Sequence, residues 1–439
     1  MMKHTKMMLG VGRCLCMGAL IMLGLGPWAR AQNPLSLEEA VKSALENNFG
    51  IQIVRMQEQL TANNNHWGTA GRYPTVNFNV NGNGSYTDNP ASFAPIRLTG
   101  SLGPSLNWVL FDGYRVRATK GRLDLLEEQA GGNANLVIEN TLQAVILAYY
   151  QILLAKEQSA VLAEVLKNSK DRLAYEAYRR DLGTGSSFEL LQFQTAVTTD
   201  SANWLTQQLN LRNLRKNLNL LMGEKVEMEF ELTEGLQEVF PSFSLADLQE
   251  KMLDDNTSVK NQFVQNQIFR KEVEIAQASL YPRLSLNGGA NYILGSITRA
   301  DGQRLSVGAF EYSAGLSLSF TLYNGGNVKR QIENARIQER IGDLQLRDLQ
   351  QSLVRDLSVM YNDYSLRRDL LKLQEESVTY AEDNLSQAAE RFQNGLINSF
   401  DYRNIQLQYL NAQFGRLQAL RQLKESETEL IRLTGGLVR

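Results

Sequence analysis

Residues 110–113, Leu-Phe-Asp-Gly, return 212 positions later as Leu322-Tyr323-Asn324-Gly325, and the rest of the chain is read outward from that echo. At the same offset Tyr149 meets Tyr361, Leu173 meets Leu385, Arg179 meets Arg391 and Gly183 meets Gly395. Ser187-Phe188-Glu189 likewise meets Ser399-Phe400-Asp401, and Gly223 meets Gly435. Earlier in the chain the offset is 208, pairing Leu37 with Leu245, Asn48 with Asn256 and Tyr73-Pro74 with Tyr281-Pro282. A single change of four residues, between Pro282 and Leu322, reconciles the whole chain. An offset held over about 110 positions marks two structural copies, residues 32–240 and 241–439, with the same elements in the same order.

After each Tyr-Pro the apolar period is two. Val76, Phe78, Val80 and Tyr86 alternate with asparagine and serine, as do Leu102, Leu106, Trp108 and Leu110. In the second copy Leu284, Leu286, Tyr292 and Leu294, then Phe310, Tyr312, Leu316, Leu318 and Phe320, repeat the pattern. The period predicts four strands, about 75–87, 100–111, 283–295 and 310–323, each with one apolar face. A soluble antiparallel sheet with one wet face would satisfy that pattern. A transmembrane barrel satisfies it too, with apolar residues to lipid, polar residues to a wet lumen and aromatics such as Tyr86, Trp108, Phe310 and Tyr323 at the strand ends.

The remainder reads as helix. All eight prolines fall outside 105–240 and 283–439. The Pro-free runs 114–181 and 326–393 would each extend about 100 Å at 1.5 Å per residue. Leu357, Tyr364, Leu371, Val378, Leu385 and Phe392 recur by sevens, with Val145, Ile152, Leu166 and Leu173 in matching places of the first copy. Such a seam belongs to helices that supercoil against neighbours. Shorter helices are expected at about 51–71 and 187–222, and again at 256–279 and 399–434. The segments 36–47 and 224–244 would form a belt around the middle, the small helices starting at the serines after Leu35 and Phe243.

Composition narrows the function. The chain has 45 Lys and Arg against 47 Asp and Glu, with two cysteines and two histidines. Residues 1–31 read as a secretory signal: Lys3 and Lys6, an apolar run from Cys14 to Gly26, then Ala29-Arg30-Ala31. Both cysteines and His4 lie in that segment. Removing it, with its four bases, leaves 41 against 47, a mildly acidic mature chain. Nothing here provides an electrostatic footprint for nucleic acid. Without cysteine, and with His66 as the one histidine, the mature chain offers no Cys or His metal site, disulfide or thiol nucleophile. No cofactor, metal or catalytic residue is expected, and no later stretch reads as a transmembrane helix, the longest apolar run being 144–155.

A membrane sheet cannot end in open edges. Four strands per chain must therefore close between copies, giving 8 strands in a dimer, 12 in a trimer and 16 in a tetramer. Eight-stranded barrels are filled by their own side chains, so a duct needs at least three copies.

Over 35–436 the residues resemble the TolC-like outer-membrane efflux family. The resemblance is carried by Leu35-Ser36-Leu37-Glu38-Glu39-Ala40, the paired Tyr-Pro, the two glycine turns at 110–114 and 322–326, and Arg391-Phe392-Gln393-Asn394-Gly395 followed by Ser399-Phe400-Asp401. It implies an α+β membrane protein: a homotrimer whose 12-stranded outer-membrane barrel continues into a long α-helical periplasmic tunnel. As a passive duct for small molecules or protein, it would serve tripartite efflux or type I secretion. Its partners would be outer-membrane lipid, a periplasmic adaptor and an inner-membrane pump. The working residues then lie at the helix–helix breaks. Gly183 and Gly395 permit the reversals, and Ser187 and Ser399 are placed as N-caps of the returning helices. Glu189 and Asp401 are either helix-start electrostatics or an acidic constriction, with Gln192 and Asn404 where some relatives carry further acids. Adaptor contact is assigned to Arg179, Gly183, Ser187, Arg391, Phe392, Gly395, Ser399 and Phe400. A periplasmic coiled-coil adaptor is the competing reading, and it requires no outward-facing apolar strands.

Overall fold

A computed structural model describes residues 33–87, 96–236, 240–298 and 301–437. The leader expected at 1–31 lies outside the described residues. Strands β1 (Asn33–Leu35), β2 (Thr75–Tyr86) and β3 (Ile96–Phe111), with helices α1 (Leu37–Asn47), α2 (Phe49–Asn64), α3 (Arg115–Asp181) and α4 (Ser187–Met222), make the first copy. β4 (Phe230–Leu232) completes it, and the second holds α5 (Leu245–Asp255), α6 (Thr257–Gln277), β5 (Arg283–Thr298), β6 (Arg304–Ser319), α7 (Asn327–Gln393) and α8 (Ser399–Leu433). β1 and β4, each three residues long, pair in parallel and bring the start and the end of the first copy together at the belt. The alternating pattern did not announce them, because three residues are too few to show a period.

The four long strands form one antiparallel sheet in the order β2-β3-β5-β6. Its register brings every apolar set to one face: Val76 opposite Leu106, Val80 opposite Leu102, Leu102 opposite Tyr292, Trp108 opposite Leu286, and Leu286 opposite Leu316. The other face is a polar ladder in which Asn79 donates to Ser105 at 2.8 Å, Asn107 to Asn287 at 2.7 Å and Asn287 to Ser317 at 3.3 Å. β3 starts at Ile96 rather than 100, and β6 spans 304–319 rather than 310–323. Pairing sets these ends, since β6 runs as far as β5 can partner it. Gly103 is required inside β3, because a Cβ there would lie 2.0 Å from the Ala290 carbonyl.

Each strand pair enters its long helix through two successive left-handed residues, Gly113 and Tyr114 in the first copy and Gly325 and Gly326 in the second. Asp112 Oδ1 accepts from the Val116 amide and Asn324 Oδ1 from the Asn327 amide, so the side chain before each turn satisfies an orphan donor of the helix. α3 and α7 are 67 residues each, and each packs along its own shorter partner, α3 on α4 and α7 on α8. α6 lies between α3 and α7, whereas its copy α2 packs along α3 and touches α1 at its start. α2 also stops at Asn64 instead of 71, the chain turning at 65–72 to aim Tyr73-Pro74 into β2.

At the middle of the helices the copies use the same joint. Asn48 caps α2 by accepting from the Ile51 amide and donates to the Leu221 carbonyl at 2.8 Å. Asn256 caps α6 and donates to the Leu433 carbonyl at 2.9 Å. Gly223 and Gly435 end α4 and α8 with φ of 75° and 69°, and a Cβ on either would strike the carbonyl of Asn47 or Asp255. The belt is tied on by phenols: Tyr149 donates to the Leu35 carbonyl at 3.0 Å and Tyr361 to that of Phe243 at 3.4 Å. Ser36 and Glu39 close a capping box at the start of α1. Burial, with the charge of Glu427, pushes the neighbouring Tyr364 phenol up to about 12. It therefore stays protonated and donates to the Pro241 carbonyl at 2.5 Å.

One expectation is corrected here. An 18-residue window of α3 has a mean hydropathy of 1.3, enough by length and composition to cross a membrane. The sequence reading counted uninterrupted apolar residues and missed it, because polar residues within the window do not lower the mean below that level. The tertiary structure spends this window on the belt, where Val145, Tyr149, Ile152 and Leu153 pack with α1 and α4.

The face assignment is testable on β6. Leu316→Lys places a charge on the apolar face in the Trp108–Leu286 row, towards the periplasmic end of the sheet, where the cost lies below the bilayer-midplane figure of about 2–4 kcal/mol. Ser317→Lys, one residue along, points to the polar face. Assembled protein in the outer-membrane fraction should fall for Leu316→Lys and hold for Ser317→Lys; equal yields would refute the assignment.

The helix-turn tip as candidate functional site

Both long helices reverse at the end remote from the sheet. Gly183 takes φ of 77° and Gly395 φ of 70°, with open space where a Cβ would sit. Backbone handedness alone calls for glycine there. Each turn closes with the same two bonds: the Thr184 amide to the Arg179 carbonyl and Gly183 to Arg180, then Leu396 to Arg391 and Gly395 to Phe392. These are Schellman pairs with glycine just past the helix end.

The N-caps are one residue earlier than the sequence reading placed them. Ser186, not Ser187, accepts from the Phe188 amide, and Asn398, not Ser399, accepts from the Asp401 amide. Glycine turns of this length bring residues 186 and 398 to the extended conformation a cap needs. Ser399 is instead buried, and its hydroxyl donates to Gln192 Oε1 at 2.7 Å, bridging α8 to α4. Thus Gln192 is held between the copies, while Asn404 and Asp401 are exposed and Glu189 is half-buried.

Among the residues assigned to docking, the structure separates two groups. Phe392 is 6% exposed. It stacks on Tyr402 at 5.3 Å and meets Phe193 edge-on at 6.0 Å, with the Arg172 guanidinium 5.0 Å from the Tyr402 ring. Arg179 pairs at 3.2 Å with the fully buried Glu176 and also donates to the Thr184 carbonyl, so it braces its own turn. By contrast Phe188 and Phe400, equivalent in the two copies, are 73% and 59% exposed. Leu182 and Leu396 also face solvent, as do Ser187 and Arg391.

Sequence reasoning missed the strongest polar contact near the tip. Arg403 of α8 donates to both carboxylate oxygens of Asp200 on α4, at 2.6 and 2.8 Å, and to Gln406 at 2.6 Å. Ser169 of α3 donates to the same carboxylate at 2.7 Å. The Asp200 and Arg403 side chains are 2% and 14% exposed. The partners are 203 residues apart, and at the repeat offset Asp200 faces Ala412 and Arg403 faces Leu191. The duplication therefore concealed the clamp, and no local pattern could have revealed it.

A sheet with one apolar face, joined directly to paired 67-residue helices and duplicated, is the arrangement to compare with known proteins. The family profile described as outer membrane efflux protein matches residues 40–224 and 248–436. This chain belongs to the outer membrane efflux protein family. A curated relative, the outer membrane efflux protein BepC of Brucella suis biovar 1, is 19% identical over 345 residues, 78% of this chain and 73% of its own. The fold is that of the Campylobacter jejuni CmeC outer membrane channel (TM-score 0.75, 15% identity, 91% of this chain and 85% of that one). It is equally that of the Neisseria gonorrhoeae MtrE channel in its open state (0.72, 15%, 91% and 89%) and of the Vibrio cholerae outer membrane protein VceC (0.72, 16%, 91% and 96%). The efflux protein accordingly sits in the outer membrane with its sheet, and its helices extend into the periplasm. The coiled-coil adaptor alternative falls with the family match and with the single apolar sheet face.

The clamp gives a stability prediction for this efflux protein. Asp200→Asn leaves the Arg403 charge buried without its partner, a loss of about 3–5 kcal/mol. Asp401→Asn alters an exposed acid and should stay within about 0.5 kcal/mol. Denaturant unfolding followed by helical circular dichroism would rank them; equal effects would remove the clamp from the account of the tip.

Proposed function

We propose that the protein assembles as a homotrimer forming a passive exit duct, part of a tripartite efflux or type I secretion assembly. Small molecules or protein would pass through it across the periplasm and outer membrane. The observation that carries this reading is the pair of unpaired sheet edges, β2 and β6, at opposite sides of one protomer. Three copies joined β6 to β2 make 12 strands, and the internal duplication makes the ring pseudo-sixfold. Helix α2 supports the same assembly: Phe49, Ile53, Met56 and Leu60 form an exposed stripe at helical spacing. By the repeat, that stripe takes α7 of the next protomer just as α6 takes α3 of the other copy within its own chain.

The duct has no chemistry of its own in this reading; energy comes from an inner-membrane pump, reached through a periplasmic adaptor. The tip supplies the docking surface. Phe188 and Phe400, with Leu182 and Leu396, are the exposed anchors, repeated six times around the trimer. Phe392, Ser399 and Arg179 hold the turns that present them, alongside Gly183 and Gly395, while Ser187 and Arg391 lie at the exposed rim. Glu189 and Asp401 supply an acidic ring at the narrow end, near helix N-termini that favour them, with Gln192 and Asn404 as neutral neighbours.

Two measurements test the reading. The protein mass of the detergent-extracted particle should equal three protomers; a soluble periplasmic species would end the duct proposal. In planar bilayers, Glu189→Gln with Asp401→Asn should lower the cation-to-anion permeability ratio, and an unaltered ratio would reduce both acids to helix-start electrostatics.

A further inference from the structure

Where the sheet meets the helices, a cleft of about 680 Å³ opens between the 65–72 turn and the β3–α3 junction. Trp67, Trp108 and Tyr114 line it together with two arginines, Arg72 and Arg117. Both arginines are exposed, and neither has an ion-pair partner among the described residues. Arg72 instead lies 4.9 Å over the Trp67 ring, while its carbonyl accepts from the Trp108 indole at 2.9 Å. The cleft's one acid, Asp112, is engaged by the Val116 amide. Lys120, 5.8 Å from the centre of the Trp67 ring, is committed to Asp124.

Two further observations point to an occupant. Around this junction, across 72–74, 108–117, 279–284 and 319–330, the chain places six bases (Arg72, Arg115, Arg117, Arg283, Lys329, Arg330) against the single acid Asp112. The chain as a whole is acidic, so this positive collar is local. In addition Tyr114 is the one non-glycine residue with positive φ among those described, at 70°, where the other copy has Gly326. Such a conformation costs about 1–3 kcal/mol and persists only where the surroundings hold it. Here Phe111 and Tyr281 meet the Tyr114 ring edge-on, keeping it at the cleft mouth.

We propose that this cleft binds the phosphate of an anionic phospholipid from the periplasmic leaflet of the outer membrane. The two guanidiniums take the phosphate oxygens, the indoles and Tyr114 sit at headgroup depth, and the acyl chains run along the apolar face past Leu106 and Leu110. This rests on the barrel lying in the outer membrane. It adds to that reading a specific headgroup chemistry, which a neutral aromatic girdle would not select.

The test uses the assembled full-length protein in neutral detergent, with Trp204→Phe so that Trp67 and Trp108 report. Quenching by brominated phosphatidylglycerol should reach half-maximum at a lower mole fraction than quenching by brominated phosphatidylcholine. At about fivefold per arginine the preference should be roughly 25-fold. Arg72→Gln with Arg117→Gln should abolish it. Equal quenching by the two lipids in the unaltered arginine background would overturn the proposal, and it requires no variant of the cleft. Displacement by millimolar glycerol 3-phosphate would also overturn it, in favour of a free phosphate site. Particle mass, read on the same sample, separates these outcomes from failure of the trimeric duct.

Discussion

The outer edges of β2 and β6 carry backbone donors and acceptors that lipid cannot satisfy. Everything else in the protomer is arranged around meeting that requirement in another copy. One sheet of four strands has its apolar residues gathered on a single face by register, so the edges are the remaining unsatisfied surface. α2 extends the same logic into the helical region. Its stripe of Phe49, Ile53, Met56 and Leu60 is unburied in the protomer, while the equivalent helix α6 is already enclosed by α3 and α7. Sheet and helices therefore ask for the same neighbour on the same side.

Where the copies must do the same thing, they use the same atoms. Asn48 and Asn256 each cap one helix while tying down the last turn of another. Gly223 and Gly435 are fixed twice over, by left-handed φ and by the carbonyls pressed against them. Tyr149 and Tyr361 each reach back to the carbonyl just before a belt helix. These joints set where the long helices cross the belt, and hence how far the tip stands from the membrane.

Where the copies diverge, the differences fall at the two ends. At the junction, Tyr114 takes a conformation that glycine holds in the second copy. At the tip, Asp200 and Arg403 bind across the α3–α4 and α7–α8 pairs with no counterpart. A buried charge pair is a weak source of net stability, but removing one member is costly. Its effect is to fix how the two helix pairs sit relative to each other while leaving Phe188 and Phe400 exposed.

The duplication, the four strands and their apolar face, the long helices and the glycine turns were all legible in the sequence, because each is written in local periodicity or in a backbone requirement. The resemblance in its motifs reached the family that the profile match then showed. It also reached the tip, yet it misplaced both N-caps by one residue, since extended conformation at 186 and 398 depends on how the turn closes. Which tip residues are buried, as Phe392 and Ser399 are, and which face out depends on how the helices pack. The tertiary structure alone supplied the strands β1 and β4, the clamp from Asp200 to Arg403, and the cleft joining Arg72 to Arg117. Those contacts join residues tens to hundreds of positions apart, and no local pattern of side chains encodes which distant partner a buried charge or an open cleft will meet.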